Sequence, residues 1–182
     1  MKLWINAISY QATWLIAIAG AARGWWWAGP VALFVFAGWQ LSVSPQRRAD
    51  TMLMLYAATI GFGADSAFAQ AGLLSYAAAL PWADLAPAWI VALWMSFALT
   101  LNHSLAYLKM HPPIAAMLGG IGAPLAYLAA AHWGALVFPP APLPTLALLA
   151  VVWAVLTPAL CRLAQALCQS QPATLATYGG RQ

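Results

Sequence analysis

The chain has 182 residues, of which 64% are hydrophobic and 5% are charged, and it carries eleven tryptophans and a formal net charge of +4. A soluble globule of this length could not cover so much apolar surface with so few charged groups, so the composition indicates a polytopic membrane protein. The sequence contains no basic stripe interleaved with aromatic residues, which excludes a nucleic-acid partner.

Six windows of the sequence are long and apolar enough to cross a bilayer as helices. In chain order they cover residues 3–22, 25–43, 51–72, 87–108, 113–138 and 142–161. The short connections between them leave little room for a soluble domain. We therefore predict an all-α fold, a single six-helix transmembrane bundle over residues 1–164 followed by a cytoplasmic tail over residues 165–182.

The connection between the third and fourth windows is the long one. A helix that ran through it would be about 50 Å long, so we predict a break near Ala71 and Gly72 or at Pro81. The break would leave an external segment that contains Trp82 and Asp84. A belt of tryptophans is predicted at the same outer interface, formed by Trp25, Trp26, Trp27, Trp82, Trp89 and Trp133.

The basic residues set the predicted orientation, because cytoplasmic loops of membrane proteins are enriched in Lys and Arg. Arg23 falls on one side of the six-span topology. The other basic residues fall on the opposite side: Lys2, Arg47, Arg48, Lys109, Arg162 and Arg181. Both termini of this multi-pass membrane protein are therefore predicted to be cytoplasmic.

Asp65 is the one acidic residue deep inside an apolar window. A carboxylate at that depth is costly unless it has a partner, a proton or a function. At a rise of about 1.5 Å per residue, Asp65 and Tyr127 both lie roughly 20 Å from the cytoplasmic edge. We therefore predict that Asp65 is buried and accepts a hydrogen bond from Tyr127. The sequence leaves open whether this carboxyl is structural or acts as an acid or base.

A second polar layer is predicted closer to the cytoplasm, where Tyr10, Gln11, Asn102 and His103 lie roughly 8 to 12 Å from the edge. These side chains either form hydrogen bonds between helices or line a cavity that also includes the Asp65 layer. In the second case, the candidate catalytic residues are Asp65 and His103, and the candidate substrate-binding residues are Gln11, Asn102, Tyr127 and Tyr10.

Metal and cofactor sites are not predicted. His103 and His132 differ in depth by roughly 20 Å, too far to ligate one haem. No His, Asp or Glu at helical spacing supplies a second metal ligand for Asp65. A Ser-His-Asp triad is disfavoured because His103 and Asp65 differ in depth by roughly 10 Å.

The fifth window contains a run of small residues, Ala115, Ala116, Gly119, Gly120 and Gly122, followed by Pro124. Small residues four apart permit close packing of two helices. The alternative is a helix broken near Pro124 that exposes its backbone to a cavity.

The order of these residues resembles that of a known family. It runs Asn6, Tyr10-Gln11, Trp14, Asp65, Trp94, then Thr100-Leu-Asn-His-Ser-Leu105, then Leu118-Gly-Gly-Ile-Gly-Ala-Pro-Leu-Ala-Tyr127. Over nearly its whole length, the chain is similar to the bacterial inner-membrane family catalogued as domain of unknown function 2878. The resemblance implies a six-span, multi-pass protein of the bacterial inner membrane and adds Asn6 to the candidate substrate-binding residues. This chain departs from the pattern at Ala123, where a second glycine would be usual.

The resemblance also implies a functional context, because members look like small proteins often encoded near cyclopropane-fatty-acid-synthase-like enzymes. It points to membrane-lipid or acyl-chain modification, with a membrane lipid or other amphiphile as ligand and a lipid-modifying enzyme as candidate partner. Two alternatives stay open. One is binding or transport of a small amphiphile or cation, and the other is a non-catalytic membrane scaffold, which a solid core beside Asp65 would favour.

Overall fold

The computed structural model describes residues 2–170, which form a bundle of six α-helices. The helices are α1 (Lys2–Ala21), α2 (Ala28–Val43), α3 (Arg47–Gln70), α4 (Ala88–Leu101), α5 (Pro112–His132) and α6 (Pro142–Gln169). A 3-10 helix at Ala106–Met110 links α4 to α5. A short strand β1 (Ser75–Tyr76) pairs antiparallel with β2 (Leu136–Val137). The predicted all-α fold with six helices is confirmed.

Three of these helices, α3, α5 and α6, are long and apolar enough to cross a membrane. The α2 and α4 helices are apolar but have 16 and 14 residues. The outer surface of the bundle exposes large hydrophobic side chains, including Phe34 at 79% and Leu143 at 77%. An apolar exterior of this kind is typical of a protein that is surrounded by lipid.

The α4 helix lies at the centre of the bundle, packed against α1, α2, α3 and α6. Ten of its 14 residues are buried, as expected for a helix that is hydrophobic on all sides. Gly29 on α2 permits the close approach, because a Cβ there would lie 2.9 Å from Trp89 Cβ and 3.2 Å from Ala17 Cβ. The start of α2 therefore packs against both the end of α1 and the beginning of α4.

The small residues of α5 pack against α6, as the first alternative predicts. A Cβ at Gly119 would overlap the side chain of Thr157, and one at Gly120 would lie 3.3 Å from the carbonyl oxygen of Ala150. The broken-helix alternative is wrong, because α5 continues through Pro124 to His132. A proline removes one backbone donor, and the neighbouring turns of a packed membrane helix can absorb that loss.

Several boundaries differ from the predicted windows. The fourth window extended to residue 108, but α4 ends at Leu101, where the amides of His103 and Leu105 both donate to the Thr100 carbonyl and turn the chain. The fifth window extended to residue 138, but α5 ends at His132. The turn there contains Gly134, whose φ of +82° favours glycine.

The end of the chain also differs. The α6 helix continues to Gln169, so residues 165–169 are helical rather than part of a tail. The rest of the predicted tail, residues 171–182 with Arg181, lies outside the described residues.

The predicted break after α3 is confirmed, since this helix ends at Gln70 and Gly72 has a φ of +67°. Trp82 in the following segment is 58% exposed. The expected exposure is also found at Trp25, Trp26, Trp27 and Trp133. The prediction is wrong for Trp89, which is fully buried: its ring meets that of Tyr76 in β1 edge-on, and its Nε1 donates to the Ala77 carbonyl at 3.0 Å.

Candidate functional site

Asp65 is buried at 1% exposure and accepts three hydrogen bonds. The hydroxyls of Tyr127 and Tyr76 donate to Oδ1, the latter at 2.6 Å, and Trp94 Nε1 donates to Oδ2 at 2.6 Å. The predicted burial and the contact with Tyr127 are therefore confirmed. The sequence reasoning missed the other two donors. Trp94 is one of the residues on which the family resemblance rests, so the sequence did single it out. No feature of the sequence indicates that Tyr76, in the connection after α3, contacts that helix.

The local sequence explains how these donors converge. Gly61 lies one turn before Asp65 on α3, and a Cβ there would overlap the indole ring of Trp94. Glycine thus lets the ring lie flat on α3 with its N–H at the carboxyl. Tyr76 is held by β1, where it pairs with Leu136 of β2. Burial and the adjacent Asp65 carboxyl raise the pKa of Tyr76, so its hydroxyl stays a donor.

A second buried carboxyl, Asp50, lies in the first turn of α3. It accepts hydrogen bonds from Ser44 Oγ at 2.6 Å, Asn102 Nδ2 at 2.9 Å and His103 Nε2 at 2.9 Å. The sequence reasoning missed Asp50 because it placed this residue in a connecting loop. A signal was available, since acidic residues are favoured in the first turn of a helix.

Asp50 and Asp65 lie about four turns apart on α3, roughly 22 Å along its axis. Asn102 and His103 therefore face a different carboxyl from the one that Tyr127 contacts. Because α4 ends at Leu101 and the chain turns there, these two side chains point toward the start of α3. Asn102 Oδ1 in turn accepts a hydrogen bond from Lys109 Nζ at 2.8 Å.

Asn6 is buried at 1% exposure and connects three helices. Its Nδ2 donates to Gln40 Oε1 at 2.8 Å and to the Leu99 carbonyl at 3.1 Å. Its Oδ1 accepts from the backbone amide of Ser104 at 3.2 Å and from the Ser104 hydroxyl. The start of α1 is thereby fixed beside the end of α4.

An open cavity of about 510 Å³ lies between α1, α4, α5 and α6. It is elongated, because its lining positions extend from Ala7 to Ile18 on α1 and from Leu118 to Ala130 on α5, roughly 16 to 18 Å along each helix. Its polar side chains are Tyr10, Gln11, Thr100, Ser104, Tyr127 and Thr157.

The cavity has one aromatic wall that depends on Asp65. Trp94 stacks on Trp153 at a ring distance of 4.2 Å, and Phe97 meets the edge of Trp153 at 5.7 Å. Trp94 and Tyr127 line the cavity and hydrogen-bond Asp65 on its far side. Asp65 thus positions the wall without itself bordering the space.

Of the residues predicted to bind or act on a substrate, Tyr10, Gln11 and Tyr127 line this cavity. The prediction that one cavity also includes Asp65, Asn102 and His103 is wrong in its geometry. Asp65 is screened by the aromatic wall, and the other two face Asp50. Asn6 is likewise outside the lining, since the helices that it joins enclose it.

The cavity lining suits binding by apolar contact and neutral hydrogen bonds. Among its described residues there is no Asp, Glu, His, Cys, Lys or Arg. Within residues 2–170, no group of three or more His, Cys, Asp or Glu side chains could hold a metal ion.

No curated protein and no solved structure is significantly similar to the chain. The profile of one family, described as Protein of unknown function (DUF2878), matches residues 3–159. The match includes α1 to α5, most of α6 and every residue that lines the cavity. The chain therefore belongs to the DUF2878 family.

Proposed function

We propose that the protein is a multi-pass protein of the bacterial inner membrane that binds a membrane lipid or related amphiphile between α1, α4, α5 and α6, as part of membrane-lipid or acyl-chain modification. The observation that carries this proposal is the elongated cavity of about 510 Å³. Ligand pockets usually have volumes of about 300 to 1,000 Å³ and a mostly apolar lining with a few polar groups. A membrane lipid suits such a pocket, because it has long apolar chains and a few polar groups, and lipids surround a bundle with an apolar exterior.

The proposed topology has six crossings with both termini in the cytoplasm. Asn6 holds the start of α1, which carries Lys2, against Ser104 at the end of α4. Lys109 follows a few residues later. These two basic ends therefore lie on the same side of the bundle, as the excess of cytoplasmic Lys and Arg requires. Arg23 follows α1 and belongs to the opposite side.

The amphiphile is favoured over a cation as the ligand. A cation would need an accessible counter-charge, but the oxygens of Asp65 already accept three protein hydrogen bonds. Tyr127 and Trp94 also separate this carboxyl from the cavity. Asp65 itself is enclosed by protein, as the scaffold alternative expects. The cavity of about 510 Å³ that opens beside Tyr127 and Trp94 favours binding, because a scaffold does not require such a space.

The lining favours a binding step over bond chemistry by this chain. General acid–base or nucleophilic catalysis needs an ionisable or activated group within hydrogen-bond reach of the substrate. Among the described residues of the lining, the ionisable side chains are the phenols of Tyr10 and Tyr127, and the Tyr127 hydroxyl already donates to Asp65. These described residues include no carboxylate, imidazole or thiol that could act as a base or nucleophile. We therefore assign the chemical step to a partner enzyme, to which this protein would present or deliver the bound lipid.

Filling the cavity tests the binding proposal. Gly122 lines the cavity and a Cβ there meets nothing within 4 Å, so the ring of Gly122→Phe is expected to occupy part of that space with no clash at its Cβ. Gly63→Phe is the matched control, because a Cβ at Gly63 also meets nothing within 4 Å and this exposed position on α3 lies outside the cavity lining. Native mass spectrometry of protein purified in mild detergent would measure retained lipid. We expect the wild type and Gly63→Phe to retain lipid and Gly122→Phe to lose it.

The cellular role is tested in parallel by lipid mass spectrometry of cells with and without the gene. Acyl composition should change in the deletion, and wild type and Gly63→Phe should restore it. Equal retention and equal restoration by Gly122→Phe would contradict the proposed site.

A further inference from the structure

The hydroxyl of Thr157 is a buried polar group without a protein partner. Within the described residues, the side-chain oxygens of Thr157 and Thr145 are buried and form no hydrogen bond. A threonine in a helix commonly donates to the carbonyl four residues earlier. Thr13, Thr51 and Thr59 do so in this chain. Thr157 is therefore an exception that requires an explanation.

Position in the helix explains why the Thr145 hydroxyl has no partner, but it does not explain this for Thr157. Thr145 lies in the first turn of α6, and the residue four positions earlier, Ala141, precedes the helix. Thr157 lies in the middle of α6, with Trp153 one turn earlier. It is fully buried and lines the cavity next to Gly119, where a Cβ would overlap its hydroxyl. Glycine at position 119 thus makes the space that this hydroxyl occupies between α5 and α6, and both residues belong to the cavity lining.

The polar groups of the cavity lie toward one end, except for Tyr127, whose hydroxyl donates to Asp65. Ser104 is tied to Asn6 at the start of α1, and Tyr10 and Gln11 follow Asn6 within about one and a half turns. Gly119 lies two turns after the start of α5, which the 3-10 helix joins to the Ser104 turn. The opposite end is apolar and is formed by Ile18, Trp89, Ile90, Ala130 and Leu136.

We propose that the cavity holds a single acyl chain whose carbonyl oxygen accepts a hydrogen bond from the Thr157 hydroxyl, with the chain directed toward Trp89 and Leu136. This inference rests on the proposed function and specifies its ligand. The uncharged lining fits the carbonyl of an ester or a protonated acid rather than a charged head group. Any head group would lie outside, beside the exposed residues Gln11 and Gly122.

Photo-crosslinking of the purified full chain tests the hydrogen bond. Three diazirine probes would be used: a free fatty acid, a phosphatidylethanolamine labelled in one chain, and a hydrocarbon of the same length without a carbonyl. The variants are Thr157→Val, which keeps the side-chain shape but not the hydroxyl, and Thr157→Ser, which keeps the hydroxyl. Thr145→Val is the matched control, since it removes the other buried, unpartnered hydroxyl of α6.

We expect Thr157→Val to lower labelling by at least one carbonyl probe about three- to tenfold, the loss expected for one hydrogen bond. Labelling by the hydrocarbon should be unchanged, and Thr157→Ser and Thr145→Val should match the wild type. Comparison of the fatty-acid probe with the phospholipid probe shows whether the bound acyl carbonyl belongs to a free fatty acid or to a phospholipid.

If both carbonyl probes label Thr157→Val as strongly as they label the wild type, the inference is overturned. An equal loss for the hydrocarbon would also overturn it, because the effect would then come from cavity shape. In either case the proposed function stands if Gly122→Phe abolishes the labelling. If the wild type is labelled by no probe above the level of Gly122→Phe, the proposed function itself is refuted.

Discussion

Replacing Asp65 by leucine tests whether this carboxyl holds the bundle together. Leucine has a similar size but accepts no hydrogen bond, so it would leave the donors Tyr76, Tyr127 and Trp94 without their acceptor. Each buried donor left unsatisfied costs about 1 to 3 kcal/mol. The two tyrosine hydroxyls both meet Oδ1, so one can donate to the other after the change. Trp94 can only donate and stays unpaired.

Two stranded donors therefore set the expected loss at about 2 to 6 kcal/mol of the free energy of unfolding. Asp65→Asn should cost much less, about 1 kcal/mol, because its amide oxygen can accept from Trp94 while its NH₂ donates to a tyrosine hydroxyl. Total stabilities of about 5 to 15 kcal/mol are usual for folded domains. The leucine variant should therefore be marginally folded, and the asparagine variant should fold.

Unfolding in mixed detergent and SDS micelles, followed by tryptophan fluorescence, would measure these differences. Asp84→Leu is the control, because Asp84 is an exposed acid in the segment between α3 and α4. A surface change of this kind should stay within about 0.5 kcal/mol of wild type. An Asp65→Leu protein as stable as Asp84→Leu would refute the reasoning that the three donors depend on this carboxyl.

Two further substitutions probe how the helices are held. Gly61→Ala should displace the Trp94 ring from α3, because the added Cβ would overlap it, and should lower the unfolding midpoint with a red shift of tryptophan emission. An unchanged spectrum and midpoint would contradict that packing. Asn6→Leu should cost at least about 2 to 4 kcal/mol, because Gln40, the Leu99 carbonyl and the Ser104 amide and hydroxyl all lose their partner. The additional change Gln40→Leu should recover part of this loss, and a double variant no more stable than the single one would argue against a buried pair.

The sequence by itself determined the class of protein, the burial of Asp65 and its contact with Tyr127. Composition required an apolar exterior, and the regular rise of a helix placed Asp65 level with Tyr127, so their contact could be predicted. Likewise, small residues four apart on α5 indicated its packing on α6. These features depend on local periodicity and on depth, which are properties of single helices.

Only the tertiary structure decided where the other polar residues point. Asn102 and His103 face Asp50 because α4 ends at Leu101, and a window of apolar residues does not reveal where a turn will close. Tyr76 reaches Asp65 through the pairing of two strands that are distant in sequence. The cavity exists because α1 and α5 flank a space instead of packing together, which no single segment encodes. Depth follows from the length of one helix, whereas direction depends on how all the helices pack at once.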